Sequence, residues 1–246
     1  MSQPSAFGEL GRAAGDVVFP PTCVHCDGLV EGGRLRHVCA ACERLLVVVH
    51  PPHCGICGHP FDGEMEGTRT CPHCAALEPA FGAGRTGILL KGPGRSLVHA
   101  LKYHRARHVL EDMAALLRAA PGIDRFVRDA ILVPVPLHPR KARERGFNQS
   151  RLLAEVFAAI GGGTARVAEP VRRVVDTPTQ TAFDRPTRQA NLKNAFALRP
   201  GAAINAADRY VLVDDVFTTG STLNACARVL RRAGCLNLDV VTFGHG

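Results

Sequence analysis

The 246-residue chain carries 30 Lys and Arg against 22 Asp and Glu, a formal charge of +8, and 46% of it is hydrophobic. That is enough to bury one sizeable core and something smaller, and it excludes a disordered chain. The first twenty residues lack a basic start followed by an apolar run, so neither export nor a membrane span is expected, and the cytoplasm is the expected compartment. Charge divides the chain: residues 1–80 hold five basic against nine acidic residues, residues 95–151 twelve against five. The basic middle segment must face anions or solvent, although a surplus this modest does not by itself imply nucleic acid.

Eight of the ten cysteines fall within residues 23–74, all in CxxC pairs: Cys23 with Cys26, Cys39 with Cys42, Cys54 with Cys57, and Cys71 with Cys74. Each turn brings two thiolates close enough to share one Zn²⁺, and two turns complete a closed tetrahedral site with no open position. The spacing therefore predicts two structural zincs in a double ribbon over residues 1–80. A disulfide framework is not expected in a reducing compartment. Sequential pairing of the CxxC turns is preferred, and spacing leaves open an interleaved arrangement of first with third and second with fourth. His25 and His73, inside the knuckles, are expected beside the metal or exposed rather than on it.

Residues 81–246 alternate strand-like and helix-like segments, which predicts an α/β domain with an open, mostly parallel sheet. A strand is expected over 86–90, an apolar-periodic helical stretch over 97–117 and a strand over 131–135. A helix with Leu152, Leu153, Val156, Phe157 and Ile160 on one side follows, then strands over 171–175, 210–213 and 238–243. Leu223, Cys226, Ala227 and Leu230 recur at helical spacing before the stop signal Gly234, so Cys226 is expected in the core. Cys235 is likewise expected to pack.

The segment Tyr210-Val-Leu-Val-Asp214-Asp215-Val-Phe-Thr218-Thr219-Gly220-Ser221-Thr222 places two carboxylates at the end of an apolar strand, followed by a hydroxyl-rich turn opening a helix. Outward-pointing amides and the hydroxyls of Thr218, Thr219, Ser221 and Thr222 suit a phosphate. The acidic pair suits the vicinal hydroxyls of a sugar, or a divalent metal held through water. The pattern GxxxxGK[ST] is absent, so this is no P-loop.

These residues closely resemble the phosphoribosyl-diphosphate (PRPP) binding loop of type I phosphoribosyltransferases. With the double cysteine ribbon, the segment from Val133 through Arg145-Gly146-Phe147-Asn148-Gln149-Ser150, and Asn191 to Phe196, nearly the whole chain resembles the ComF competence-protein family. The resemblance implies that Asp214 and Asp215 bind the ribose hydroxyls of PRPP, that Thr218, Thr219, Gly220, Ser221 and Thr222 hold its 5-phosphate, and that Mg²⁺ accompanies it. Arg140, Arg143 and Arg145 lie where a pyrophosphate-facing loop is expected, and guanidinium groups suit a pyrophosphate or a nucleic-acid backbone equally. Arg173 opens a stretch through Gln180, followed by Arg185 and Arg188, that looks like the lid over the diphosphate. Val175 stands where the family pattern has a basic residue, and Thr218 where purine-salvage relatives carry a carboxylate, which disfavours purine salvage. An enzyme would transfer ribose 5-phosphate to an acceptor the sequence does not identify, in the service of DNA uptake and natural transformation. The alternative is a non-catalytic factor that binds PRPP or single-stranded DNA and meets the competence machinery. Trp is absent and only two Tyr are present, which counts against a base-stacking platform.

Overall fold

A computed structural model describes residues 20–61, 63, 69–75, 77–175 and 194–246. The first ribbon contains α1 (Ala40–Glu43) and is followed by the short strand β1 (Val47–Val48); the second contains α2 (Pro72–Ala75). Beyond them run β2 (Gly84–Leu89), α3 (Gly92–Tyr103), α4 (Leu110–Ala119), α5 (Ile123–Val127) and β3 (Ile131–Pro134). The chain continues with α6 (Pro139–Arg145), α7 (Gln149–Ile160), β4 (Arg166–Val167), β5 (Val171–Arg173), β6 (Phe196–Leu198), β7 (Arg209–Phe217), α8 (Ser221–Arg232) and β8 (Asn237–His245).

Among the described residues the main sheet has the order β1-β2-β8-β7-β3-β4, with every pair parallel except the β1–β2 edge. A separate antiparallel ribbon, β5–β6, stands beside it. The apolar strands β3 and β7 are buried on both faces, as parallel strands covered by helices must be. One face carries Leu97, Leu101, Met113, Leu117, Leu153 and Phe157, the other Phe81, Leu223, Ala227 and Leu230.

Two sequence expectations are corrected here. The helical stretch expected over 97–117 is broken: α3 ends at Tyr103, and the N–H groups of His104 and Ala106 both donate to the Ala100 carbonyl. Arg105 then takes a left-handed φ of 54°, which turns the chain so that α3 and α4 each lay an apolar face on the sheet. The strand expected to stop at Val213 instead continues to Phe217, because β8 pairs with it as far as Phe217↔His245. Asp214 and Asp215 therefore sit inside a strand rather than after it.

The ribbons are built into the sheet. β1 pairs with β2, and Cys23, Leu35, Val38 and Cys42 pack in the same cluster as Ile88 and Leu97. The carboxylate of Asp112 on α4, only 1% exposed, accepts from Arg36 N at 2.8 Å and His37 N at 2.7 Å. Hydrogen bonds to a charged acceptor stabilise by about 1.5–3 kcal/mol each, so this clamp holds the first ribbon firmly on α4. The second ribbon joins the other face: Gly84 N donates to Gly55 O at 2.8 Å and Thr86 Oγ1 to Cys57 O at 3.0 Å. At Gly84 a side chain would strike the Ile56 carbonyl, so only glycine permits this approach.

A strand-end cleft and two cysteine clusters

The ligand atoms of Cys23, Cys26, Cys39 and Cys42 lie within 4.8 Å of one another, and so do those of Cys54, Cys57, Cys71 and Cys74. The pairing is thus sequential, and the two sets of four thiols fit two structural zinc ions with no position left for a substrate. The sites differ in access: all four cysteines of the second are buried, whereas Cys26 of the first is exposed. In the second site Cys71 N donates to Cys54 Sγ at 3.3 Å and His59 N to Cys57 Sγ at 3.4 Å, contacts that favour thiolate over thiol. His25 lies off the cluster, its Nδ1 3.0 Å from Ser96 Oγ on α3. The His73 ring lies tilted beside those of His59 and His245, with centres 5.6 and 5.9 Å away.

The chemistry-bearing cleft arises from topology. β3 is followed by a neighbour on one side, β4, and β7 by a neighbour on the other, β8, so the sheet order reverses between β3 and β7. Crevices at the carboxyl ends of such strands are where ligands bind in open α/β sheets. Pairing of β3 with β7 ends at Pro134↔Val213, and the chain diverges past Val135 just where β7 presents Asp214 and Asp215. The resulting cavity, of about 180 Å³, is lined by both aspartates, Thr222, Ser150, Gln149, Arg173 and Lys141, with Val135, Pro136 and Leu137 along one wall.

The two carboxylates reach different partners. Asp214 Oδ1 accepts from Ser150 Oγ at 2.9 Å and from Asp215 N at 2.9 Å, while Asp215 Oδ2 lies 2.5 Å from Lys102 Nζ on α3. Ser150 is positioned by the Asn148 cap of α7, whose side chain accepts from Ser150 N at 3.1 Å. Burial, and then the neighbouring charge of Asp215, push the Asp214 carboxyl up to about 7. Beneath it Cys226 is fully buried, its thiol raised well above the ordinary range by burial, and it packs in the core as expected. Cys235 is buried too, with its Sγ 3.6 Å from Asn237 O.

A pH dependence follows. Asp214 binds its proton more tightly folded than unfolded, so it favours folding fully below the ordinary carboxyl pKa of 3.8, and that contribution is lost as pH rises through about 7. Replacing it by Asn removes the titration. The melting temperature of Asp214→Asn relative to the unchanged chain should therefore climb by several degrees from about pH 4 to pH 8, at roughly 2–4 °C per kcal/mol. Scanning fluorimetry that finds a constant difference over that window refutes the assignment.

The remaining sequence candidates are distributed unevenly. Gly220 takes φ 70° at the entry to α8, and Thr219 Oγ1 lies 2.9 Å from Ser221 Oγ, but of the four turn hydroxyls only that of Thr222 lines the cavity. Thr218 is exposed. Arg173 is in the cleft, with its guanidinium 5.6 Å above the Phe196 ring. Arg140 and Arg143 are exposed on α6, where Arg140 pairs with Glu144 at 3.0 Å. Arg145 donates to Gln149 Oε1 at 2.5 Å and lines an adjoining groove of about 350 Å³ with Lys102, Tyr103, Arg105, Lys141 and Glu144. Val175 is 42% exposed, and the lid positions Thr177, Gln180, Arg185 and Arg188, with Asn191, lie outside the described residues. Sequence reasoning missed Lys102, Lys141, Gln149 and Ser150. Lys102 had no local signal, coming from a helix more than a hundred residues upstream, whereas Asn148 was a readable cap for Ser150.

Fold and site together define the class: two four-cysteine sites joined to a largely parallel α/β sheet with an acidic cleft at its switch point. A family model described as a double zinc ribbon domain matches residues 14–75. The chain is 29% identical over 226 residues to competence protein F of Haemophilus influenzae, covering 89% of this chain and 94% of the relative. It is 32% identical over 227 residues to the DNA utilization protein YhgH of Salmonella typhimurium, covering 82% and 94%, and 31% identical over 104 residues to competence protein ComFC of Bacillus subtilis, covering 42% and 39%. The chain belongs to the ComF family of competence proteins. Among the described residues no helix is long and apolar enough to cross a membrane.

Proposed function

We propose that the chain binds PRPP in the strand-end cleft and acts in DNA uptake beside the competence machinery, as the names of its relatives suggest. One observation carries the first part: two carboxylates, a helix-opening hydroxyl and two cations share a single cavity at the switch point. Asp214 and Asp215 accept hydrogen bonds from the ribose hydroxyls. The amides and hydroxyls from Thr218 to Thr222 hold the 5-phosphate. Lys141 and Arg173, the two cations lining the cavity, meet the diphosphate, with Lys102, which pairs with Asp215, and Arg145 in the adjoining groove.

The oxygen-only donor set of the acidic pair fits a hard divalent cation, and a carboxyl pushed up to about 7 gains from a positive neighbour. Mg²⁺, when bound with PRPP, neutralises diphosphate charge. If turnover occurs, the residues contribute by position and charge: they fix the ribose, shield the leaving group and exclude water while an acceptor displaces diphosphate at the anomeric carbon. Calorimetry of the full chain with PRPP and Mg²⁺ tests the binding. Diphosphate release in the presence of bases, amines and nucleic acids then separates transferase from binder, and absence of PRPP binding removes both.

A second reading, single-stranded DNA, is favoured by the adjoining groove. Tyr103 is 58% exposed there, with the Arg145 guanidinium 5.7 Å from its ring, among Lys102, Arg105 and Lys141. An exposed ring among cationic side chains is the arrangement that base stacking beside a phosphate backbone would use. Tyr103→Ala should weaken oligonucleotide binding by roughly 1–3 kcal/mol, and affinity should fall steeply with salt. A shallow salt response sinks this reading.

A further inference from the structure

At the other end of the sheet, near the N-terminal ends of three adjacent strands, stand Arg85 on β2, Asp239 on β8 and Arg209 on β7. Asp239 is fully committed. Its Oδ1 accepts from Ala83 N at 2.9 Å, and its Oδ2 accepts from Arg209 Nη2 at 2.8 Å and Nε at 3.2 Å. Arg209 also donates through Nη1 to the Phe126 carbonyl at 2.8 Å.

Arg85 is different. It donates through Nη1 to Gly84 O at 2.9 Å and rests 5.0 Å from the Phe126 ring centre, but among the described residues no carboxylate lies within ion-pair distance of it. Burial holds its guanidinium below the usual range, against the weaker opposing pull of Asp239. The side chain of Arg125, exposed on α5, makes no hydrogen bond or ion pair among the described residues. Both arginines face a cleft of about 480 Å³, and the Nδ1 of His53 is buried there without a partner. Pro51, Pro121 and Phe126 complete the apolar lining, with the Arg85 and Arg209 guanidinium groups 5.0 and 5.1 Å from the Phe126 ring centre.

A partly buried guanidinium without an ion-pair partner, as at Arg85, is costly unless an anion completes it, and the planar forks of Arg85 and the exposed Arg125 match phosphate oxygens two at a time. Two guanidinium groups without an ion-pair partner among the described residues suit a phosphate monoester, which carries about −1.5 to −2 at neutral pH. The volume lies within the range of about 300–1,000 Å³ typical of small-molecule sites. We propose that this cleft binds a phosphorylated small molecule of nucleotide size, with its phosphate on Arg85 and Arg125 and its body against Pro51 and Pro121. The site is independent of the strand-end cleft: Arg209 and Asp214 stand five positions apart on β7, roughly 16 Å of strand.

The test uses the zinc-loaded full chain carrying Thr222→Glu, which sets a carboxylate in the strand-end cleft and repels phosphate there. Adenosine 5′-monophosphate is titrated by calorimetry, with inorganic phosphate as the second probe. The nucleotide should bind, inorganic phosphate should bind about tenfold more weakly for want of a body, and Arg125→Glu should weaken the nucleotide by at least about tenfold at unchanged melting temperature. Arg85→Gln should do the same; if that variant fails to fold, the exposed Arg125 decides. No nucleotide binding at millimolar concentration, equal affinity for inorganic phosphate, or binding that survives Arg125→Glu overturns the proposal. Failure of PRPP to bind at the strand end leaves it standing.

Discussion

Stripping the metal with a strong chelator should unfold the sheet together with the ribbons, in one cooperative loss of structure. Structural zinc contributes on the order of 10 kcal/mol or more to a small module, comparable with the whole stability of a domain. Here the modules are not appendages. Cys54, Cys57, Cys71 and Cys74 belong to the same packed cluster as Leu212, Phe217 and Leu223, and Cys23 and Cys42 to the cluster of Ile88 and Leu97. Metal analysis should return two zincs per chain. Cys54→Ser, in the buried site, should lose one zinc and most of the stability. Cys26→Ser should lose less, because water can reach the position its exposed thiolate leaves. Fewer than two zincs in the unchanged chain, or a melting temperature indifferent to chelation, would refute the assignment.

The second large effect falls on the acidic pair. If Asp214 and Asp215 hold ribose hydroxyls, Asp214→Ala/Asp215→Ala removes charged hydrogen bonds of about 1.5–3 kcal/mol each, so PRPP affinity should drop by about 100-fold or more. The single changes should differ. Asp215→Ala leaves Lys102 without its counter-ion, so part of its effect is a stray charge, and adding Lys102→Met should recover some stability but not the lost binding. Asp214→Asn keeps the shape and the Ser150 contact, and should weaken PRPP while raising stability at alkaline pH. PRPP affinity within about tenfold of the unchanged chain in the double variant would show that the pair serves the fold alone.

The CxxC spacing and the apolar strand running into Asp214-Asp215 were legible because both signals are local: a knuckle needs two thiolates three residues apart, and a strand-end site needs its acids next to the strand. The break between α3 and α4 was hidden because Arg105 adopts a left-handed backbone that its residue type does not advertise. The length of β7 was hidden because it is set by pairing with β8, not by its own propensity.

Residue types and short spacings alone determined that this chain would hold two four-cysteine sites and an acidic pair on a largely parallel sheet. Only the tertiary structure decided which thiolates share an ion, that Lys102 and Ser150 neutralise and orient the acidic pair, and that Lys141, rather than Arg140 or Arg143, lines the cleft. The physical reason is that charge and burial act through space. A lysine on one helix and an aspartate on a strand more than a hundred residues later become partners only when a shared core brings them within a few ångströms.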